Sequence, residues 1–193
     1  MKRLLCNLGC LLAMAGVACA APLTFSGVLS GANENPATGS PGTGSAVVSY
    51  DPATHLLFVD VVFSGLEAGT TAAHIHCCIS PPGNAGVATT TPTFAGFPLG
   101  VTSGTYVNTL NMTLSSSYNP AFITANGGTV ASAEAAFAAG LENDMTYLNI
   151  HTTMFPSGEV RAILLPTPEP ASAVLAAIAL SGLWLVRRRR AGC

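Results

Sequence analysis

Between Leu23 and Leu165 the apolar side chains recur mostly at every second position, in short runs separated by Gly, Pro, Asn and Asp. A two-residue period turns alternate side chains to opposite faces, so each run reads as a strand with one face toward a core. Leu23 to Ser30 sets Phe25, Gly27 and Leu29 against Thr24, Ser26 and Val28. Ser45 to Tyr50 and His55 to Phe63 are joined by Asp51-Pro52-Ala53-Thr54, a hairpin turn. Thr71 to Ile79, Gly104 to Leu114, Met145 to His151 and Glu159 to Leu165 are further strands, the last two closing across Pro156-Ser157-Gly158. Gly31 to Gly44 and Ser80 to Gly100 read as loops. Only Thr129 to Gly140 has a helical period, with Val130, Ala133, Phe137, Ala138 and Leu141 on one face and Gly140 as its terminator. Many short strands with one short inserted helix predict an all-β fold, an antiparallel β-sandwich with Greek-key-like connections.

Both ends carry a different kind of signal. Lys2 and Arg3, the apolar stretch Leu4 to Val17 and Ala18-Cys19-Ala20 are the three parts of a secretory signal peptide over residues 1–20. Lipidation of Cys19 is disfavoured, because Gly16 stands where a lipobox has Leu. At the far end Pro168-Glu169-Pro170 precedes an apolar run, Ala171 to Val186, and then Arg187, Arg188, Arg189 and Arg190. The run is shorter than the about 20 residues of a free-standing transmembrane helix. Four arginines would hold their end in the cytoplasm and leave the upstream chain outside. Tripeptide, apolar helix and basic cluster in this order resemble the PEP-CTERM sorting signal of Gram-negative bacteria, over residues 166–193. The resemblance implies cleavage by an exosortase near the tripeptide, after transient anchoring in the inner membrane. An ordinary single-pass anchor is the alternative.

One domain of residues 21–165 remains, large enough to bury a core of its own. Without the two end signals it keeps one basic residue, Arg161, against eight acids, a formal charge of −7. A single cation cannot neutralise a phosphate backbone, which excludes nucleic acid as a partner. The same charge repels anionic lipid head groups and acidic polysaccharides unless divalent ions bridge them. Cys77 and Cys78 are the cysteines of this span, and two neighbours are not the framework of a disulfide-built scaffold.

Six motifs recur in order along the domain: Asn33-Glu34-Asn35-Pro36, Tyr50-Asp51-Pro52, Phe63-Ser64-Gly65-Leu66, Ala73-His74-Ile75-His76, Tyr147-Leu148-Asn149-Ile150-His151-Thr152 and Gly158-Glu159-Val160-Arg161. They resemble the landmarks of the CHRD domain, named for chordin, over roughly residues 23 to 165. The closing motif departs in one place, with Ala162 where the family has Gly. The resemblance implies an immunoglobulin-like β-sandwich and carries no enzymatic activity, substrate or cofactor with it.

The candidate chemistry lies in the histidines. His74 and His76 stand two apart on a strand and project from one face. His151 shares parity with Tyr147 and Asn149 on a late strand. Three converging imidazoles are the ligand number of an open metal site, with nitrogens expected within about 4 Å of one another. Cys78, the next residue of that parity, is a further candidate, and the set suits zinc or copper. The alternative is three half-buried histidines bonded between strands and loops. Cys77 and Cys78 allow a disulfide, which export favours, two free thiols, or ligation by Cys78. Arg161 shares a face with Glu159 and, as the lone cation, is expected to hold a carboxylate at a fixed place. His55, beside a hairpin turn, is expected to be solvated.

These observations predict an exported, non-catalytic binding or structural module of the cell envelope or extracellular exopolysaccharide matrix, with no cofactor. Its partners are signal peptidase and exosortase during export, and exopolysaccharide or envelope proteins afterwards. The alternative is a metal-binding or metal-dependent redox protein built on His74, His76 and His151.

Overall fold

The computed structural model describes residues 21–167; the segments read as signal peptide and as sorting signal lie outside the described residues. Eight strands run β1 Leu23–Ser30, β2 Thr43–Asp51, β3 Leu56–Ser64, β4 Thr70–Cys77, β5 Gly104–Asn111, β6 Thr146–Thr152, β7 Val160–Ile163 and β8 Leu165–Pro166. Two helices, α1 Pro120–Ala125 and α2 Val130–Glu142, lie between β5 and β6. Among the described residues no helix is long and apolar enough to cross a membrane.

The expected alternation is clearest in β3. Leu57, Val59, Val61 and Phe63 are buried, whereas Leu56, Phe58, Val62 and Ser64 are exposed. Burying one such side chain contributes about 1.5–3 kcal/mol, so β3 is anchored by its inner face. The β2–β3 turn is held by Asp51, whose carboxylate accepts from the Ala53 amide at 2.8 Å and the Thr54 hydroxyl at 2.7 Å. His55 completes the turn at a φ of 58°.

The strands form one antiparallel ladder in the order β4-β6-β7-β1-β2-β3-β5, with β8 beside β1. This is a correction to the expected sandwich of two separate sheets. The ladder is nevertheless far from flat. Strands β4 and β3 stand five places apart, which is about 24 Å in a flat sheet. Only Gly65 to Gly69 join them, a link reaching at most about 21 Å when fully extended. The sheet therefore curls, and its two edges meet at one end. There the Thr70 amide bonds the Val101 carbonyl at 3.0 Å and the Gly100 amide bonds the Thr70 carbonyl at 2.8 Å. The inner faces of both halves fill one core, from Val59 and Val61 to Ile75, Leu148 and Val160.

The helices also depart from expectation. There are two, and α1 begins where Asn119 accepts from the Ala121 amide ahead of Pro120. Helix α2 starts at a Thr129–Ser132 capping box and runs through Gly140 to Glu142. Gly140 is thus a buried interior residue and not a terminator. It is there for space: a Cβ at this position would collide with Cys77 Sγ and lie 2.9 Å from Cys78 Sγ. At the C-terminal end the Thr167 amide bonds the Thr24 carbonyl at 2.8 Å, which ties the residue after β8 to β1.

Gly140→Ala tests this contact. Helix propensity alone would stabilise the variant by about 1 kcal/mol. Overpacking against the two sulfurs should instead destabilise it by about 1–3 kcal/mol in urea unfolding. A more stable variant would show that the helix does not press on the cysteine pair.

Candidate metal centre

Strand β3 has one dry face, but β4 is buried at every position from Ala73 to Cys77 and β6 at nearly all. The inner faces of β4, β6 and β7 meet the apolar core. Their outer faces carry His74 and His76, then Tyr147, Asn149 and His151, then Arg161. These are covered by the loops after β1 and after β4. A second, polar core therefore lies on the back of the sheet.

The loop motif Asn33-Glu34-Asn35 closes it. Asn33 Nδ2 donates to the carbonyls of Val28 and Arg161, both at 3.0 Å. Asn35 Nδ2 donates to the Pro82 carbonyl at 2.9 Å, and Asn84 Nδ2 returns to the Asn35 carbonyl at 2.8 Å. Glu34 turns inward to Arg161, with Nη2 to Oε2 at 3.0 Å and both side chains almost wholly buried. Burial pushes the Glu34 carboxyl up, and the guanidinium beside it opposes that rise. Arg161 also donates to Asn84 Oδ1 at 2.7 Å and lies 3.9 Å above the Tyr147 ring. Tyr147 in turn stacks on His76 with centroids 4.7 Å apart and planes 7° from parallel. Gly158, at a φ of 127°, leaves room for the Asn149 amide, which a Cβ there would strike.

Arg161 thus takes its carboxylate from Glu34, not from Glu159 just before its own strand. Glu159 is fully buried without a cation. It accepts from Ser40 Oγ at 2.6 Å, the Glu67 amide at 2.7 Å and Thr152 Oγ1 at 2.7 Å, tying three segments together.

Each histidine is held by one nitrogen. His74 Nε2 bonds the Pro92 carbonyl at 2.7 Å, His76 Nδ1 the Ala85 carbonyl at 2.8 Å and His151 Nδ1 the Pro156 carbonyl at 2.9 Å. A carbonyl only accepts, so these nitrogens carry the hydrogens and the opposite ones expose lone pairs. Those opposite nitrogens, His74 Nδ1, His76 Nε2 and His151 Nε2, are buried with no hydrogen-bond partner among the described residues. One ring nitrogen from each of the three histidines lies within 4.8 Å of one from each of the others. An ion bound at about 2.1 Å draws its ligand nitrogens to about 3.4 Å, so the rings must close by roughly 1 Å, a side-chain movement. The spacing is somewhat wider than the expected 4 Å because each ring is also tied to a different backbone segment.

Burial brings His74 and His76 down to about 4, and it lowers His151 as well. All three are neutral near pH 7, the state a metal requires.

Cys78 does not join this group. It is bonded to Cys77, and its Sγ lies 3.6 Å from the Ala136 carbonyl, on the helix side of the sheet. His55 is also elsewhere and is not simply solvated: its Nδ1 lies 2.9 Å from Glu134 Oε1, which accepts from Tyr50 at 2.7 Å. Sequence reasoning placed Tyr147 and Asn149 on the face of His151 but missed their contacts with His74 and His76 and the pairing of Glu34 with Arg161. The motifs containing them and the unpaired charge of Arg161 were the available signals.

A curled antiparallel sheet with two short helices, one dry core and one polar core defines an all-β module. The CHRD domain family matches residues 25–164, nearly all of the described span, and the chain belongs to that family. Membership suggests a non-enzymatic binding or structural module. No curated protein and no solved structure matches the chain.

The depressed histidines have a pH signature. Their folded pKa values lie below the unfolded value of about 6.5, so the unfolded chain binds more protons between the two. Their contribution to metal-free stability is complete above about pH 6.5 and is lost as pH falls through about 4. Glu34 acts with the opposite sign, so the histidine part is best isolated by NMR. The imidazoles of His74 and His76 should stay neutral down to about pH 5; titration of both near 6.5 would contradict the buried site.

Proposed function

We propose that this CHRD domain is an exported metal-binding module, with His74, His76 and His151 holding one transition-metal ion of the zinc or copper class. The observation that supports it best is the set of three buried, unpartnered lone pairs, each fixed by a carbonyl on the opposite nitrogen. Leaving a buried polar atom unsatisfied costs about 1–3 kcal/mol, and the cost recurs at three atoms in one place. An ion satisfies all three at once. Bonding of the second nitrogen to an outer acceptor is the usual support of a metal-ligating histidine. An open cavity of about 380 Å³ is lined by Glu34, Phe155, Gly158 and Pro156, whose carbonyl holds His151. We read the site as binding and not catalytic, because its ligand atoms are enclosed beneath the covering loops.

The chain purified without chelator should carry about one zinc or copper ion by elemental analysis, and His76→Ala should carry none. Added metal should stabilise the parent alone, by about 2.7 kcal/mol at a hundredfold excess over Kd, and so raise its melting temperature. Absence of any bound or bindable ion would leave the three histidines as hydrogen-bonding strand residues.

We further infer from the terminal segments that the module works at the envelope or in the exopolysaccharide matrix of a Gram-negative bacterium, after signal peptidase and exosortase have acted. Surface-extracted protein should then lack residues beyond about Pro170 by mass spectrometry. An intact Arg187 to Arg190 would favour a retained membrane anchor.

A further inference from the structure

We propose that the ion this site selects is monovalent copper, Cu(I), over Cu(II) and zinc. The inference rests on the metal-binding reading of His74, His76 and His151 and turns on charge and coordination number.

The three ligands are neutral imidazoles, and each outer partner is a backbone carbonyl. Where a carboxylate occupies that outer position, it raises ligand basicity and offsets the charge of the ion. Among the described residues no carboxylate is hydrogen-bonded to a ligand ring. A divalent ion would keep most of its charge among buried groups, and the cost of desolvating charge grows with its square. It is therefore about four times greater for a divalent than for a monovalent ion of similar size.

A fixed positive charge stands just beyond the ligands. Strand order places Tyr147 of β6 between His76 of β4 and Arg161 of β7. The phenol ring is stacked on the imidazole at 4.7 Å and faces the guanidinium at 3.9 Å, so the cation stands one ring away from a ligand. Glu34 Oε2 accepts from the guanidinium and opposes its charge.

Coordination number points the same way. Zinc completes a tetrahedron, with a fourth side chain or with water. Cys77 and Cys78, the soft ligands nearest in sequence, are committed to each other. Among the described residues the cluster ends at three nitrogens, all with almost no exposed surface. Three neutral nitrogens suffice for Cu(I), which has a filled d shell and low charge.

The test compares three ions on the purified chain. Cu(I) is titrated anaerobically against a chromophoric Cu(I) chelator, with ascorbate as reductant; Cu(II) and Zn(II) are titrated against chelators of known affinity. We expect one Cu(I) per chain, held at least about a hundredfold more tightly than Cu(II), which raises the copper couple by about 120 mV over the free ion. Zinc should bind more weakly than Cu(I), and His151→Ala should lose the Cu(I). Zinc or Cu(II) binding as tightly as Cu(I) would overturn this inference and leave the metal-binding reading intact. Failure of all three ions to bind would overturn both. In Glu34→Gln, which keeps an acceptor for Arg161 but removes the balancing negative charge, the preference for Cu(I) should rise several-fold. An unchanged or reversed preference would sink the charge argument, and the wild-type comparison decides the proposal whether or not that variant folds.

Discussion

The polar half of this domain is organised by a single guanidinium. Arg161 is the only Lys or Arg between residues 21 and 167, and it is almost entirely enclosed. Enclosure without partners would be prohibitive, so each of its three nitrogens is met, by Glu34 from the loop after β1 and by Gly83 and Asn84 from the loop after β4, with the Tyr147 ring beneath. Removing one partner of such a pair typically costs about 3–5 kcal/mol, whereas replacing both by apolar groups can be neutral. Here the pair also fixes position. Both loops that roof the back of the sheet are gripped by the same side chain, and the Ala85 and Pro92 carbonyls that orient His76 and His74 belong to one of them.

Two cores on opposite faces of one sheet make different demands. The inner one needs only apolar volume, which β3 and α2 supply through Val59, Val61, Phe137 and Leu141. The outer one must satisfy every polar atom it buries. It does so for Arg161 and for one nitrogen of each histidine, but not for the other nitrogens, Glu34 Oε1 or Asn149 Oδ1. All five unsatisfied atoms accept and none donates, which fits a cation or donor-bearing solvent far better than a misfit in packing.

Much of the strand plan was legible, because alternation in β1, β2 and β3 follows directly from one wet and one dry face. The convergence of His74 and His76 followed from their spacing of two, and the family from motif order. The curl was not legible, since alternation says nothing of strand order and the short Gly65 to Gly69 link tells only once β3 and β4 are placed. Asn119-Pro120 was a readable helix start, but six residues are too few to show a period. Gly140 misled because a helix-interior glycine and a terminator look alike until the sulfurs behind it are known. Glu34 was a motif landmark, yet its pairing with Arg161 spans 127 positions and no local pattern encodes it.

The disulfide and the histidines belong to consecutive residues yet face different neighbours. His76 turns to the polar core, while Cys77 and Cys78 press on α2 through the space that Gly140 leaves. The end of β4 is thereby held from both sides, by helix contact behind and by the Ala85 carbonyl in front. A ligand ring tied at its backbone and at its far nitrogen has little freedom left, and restricted ligands lose less entropy when they bind. The β6–β7 connection imposes the same restraint on His151 through Pro156, three residues before the Glu159 hub that ties it to Ser40, Glu67 and Thr152. The polar core thus supplies preorganisation as well as enclosure, and that combination gives three otherwise ordinary strand histidines the character of a site.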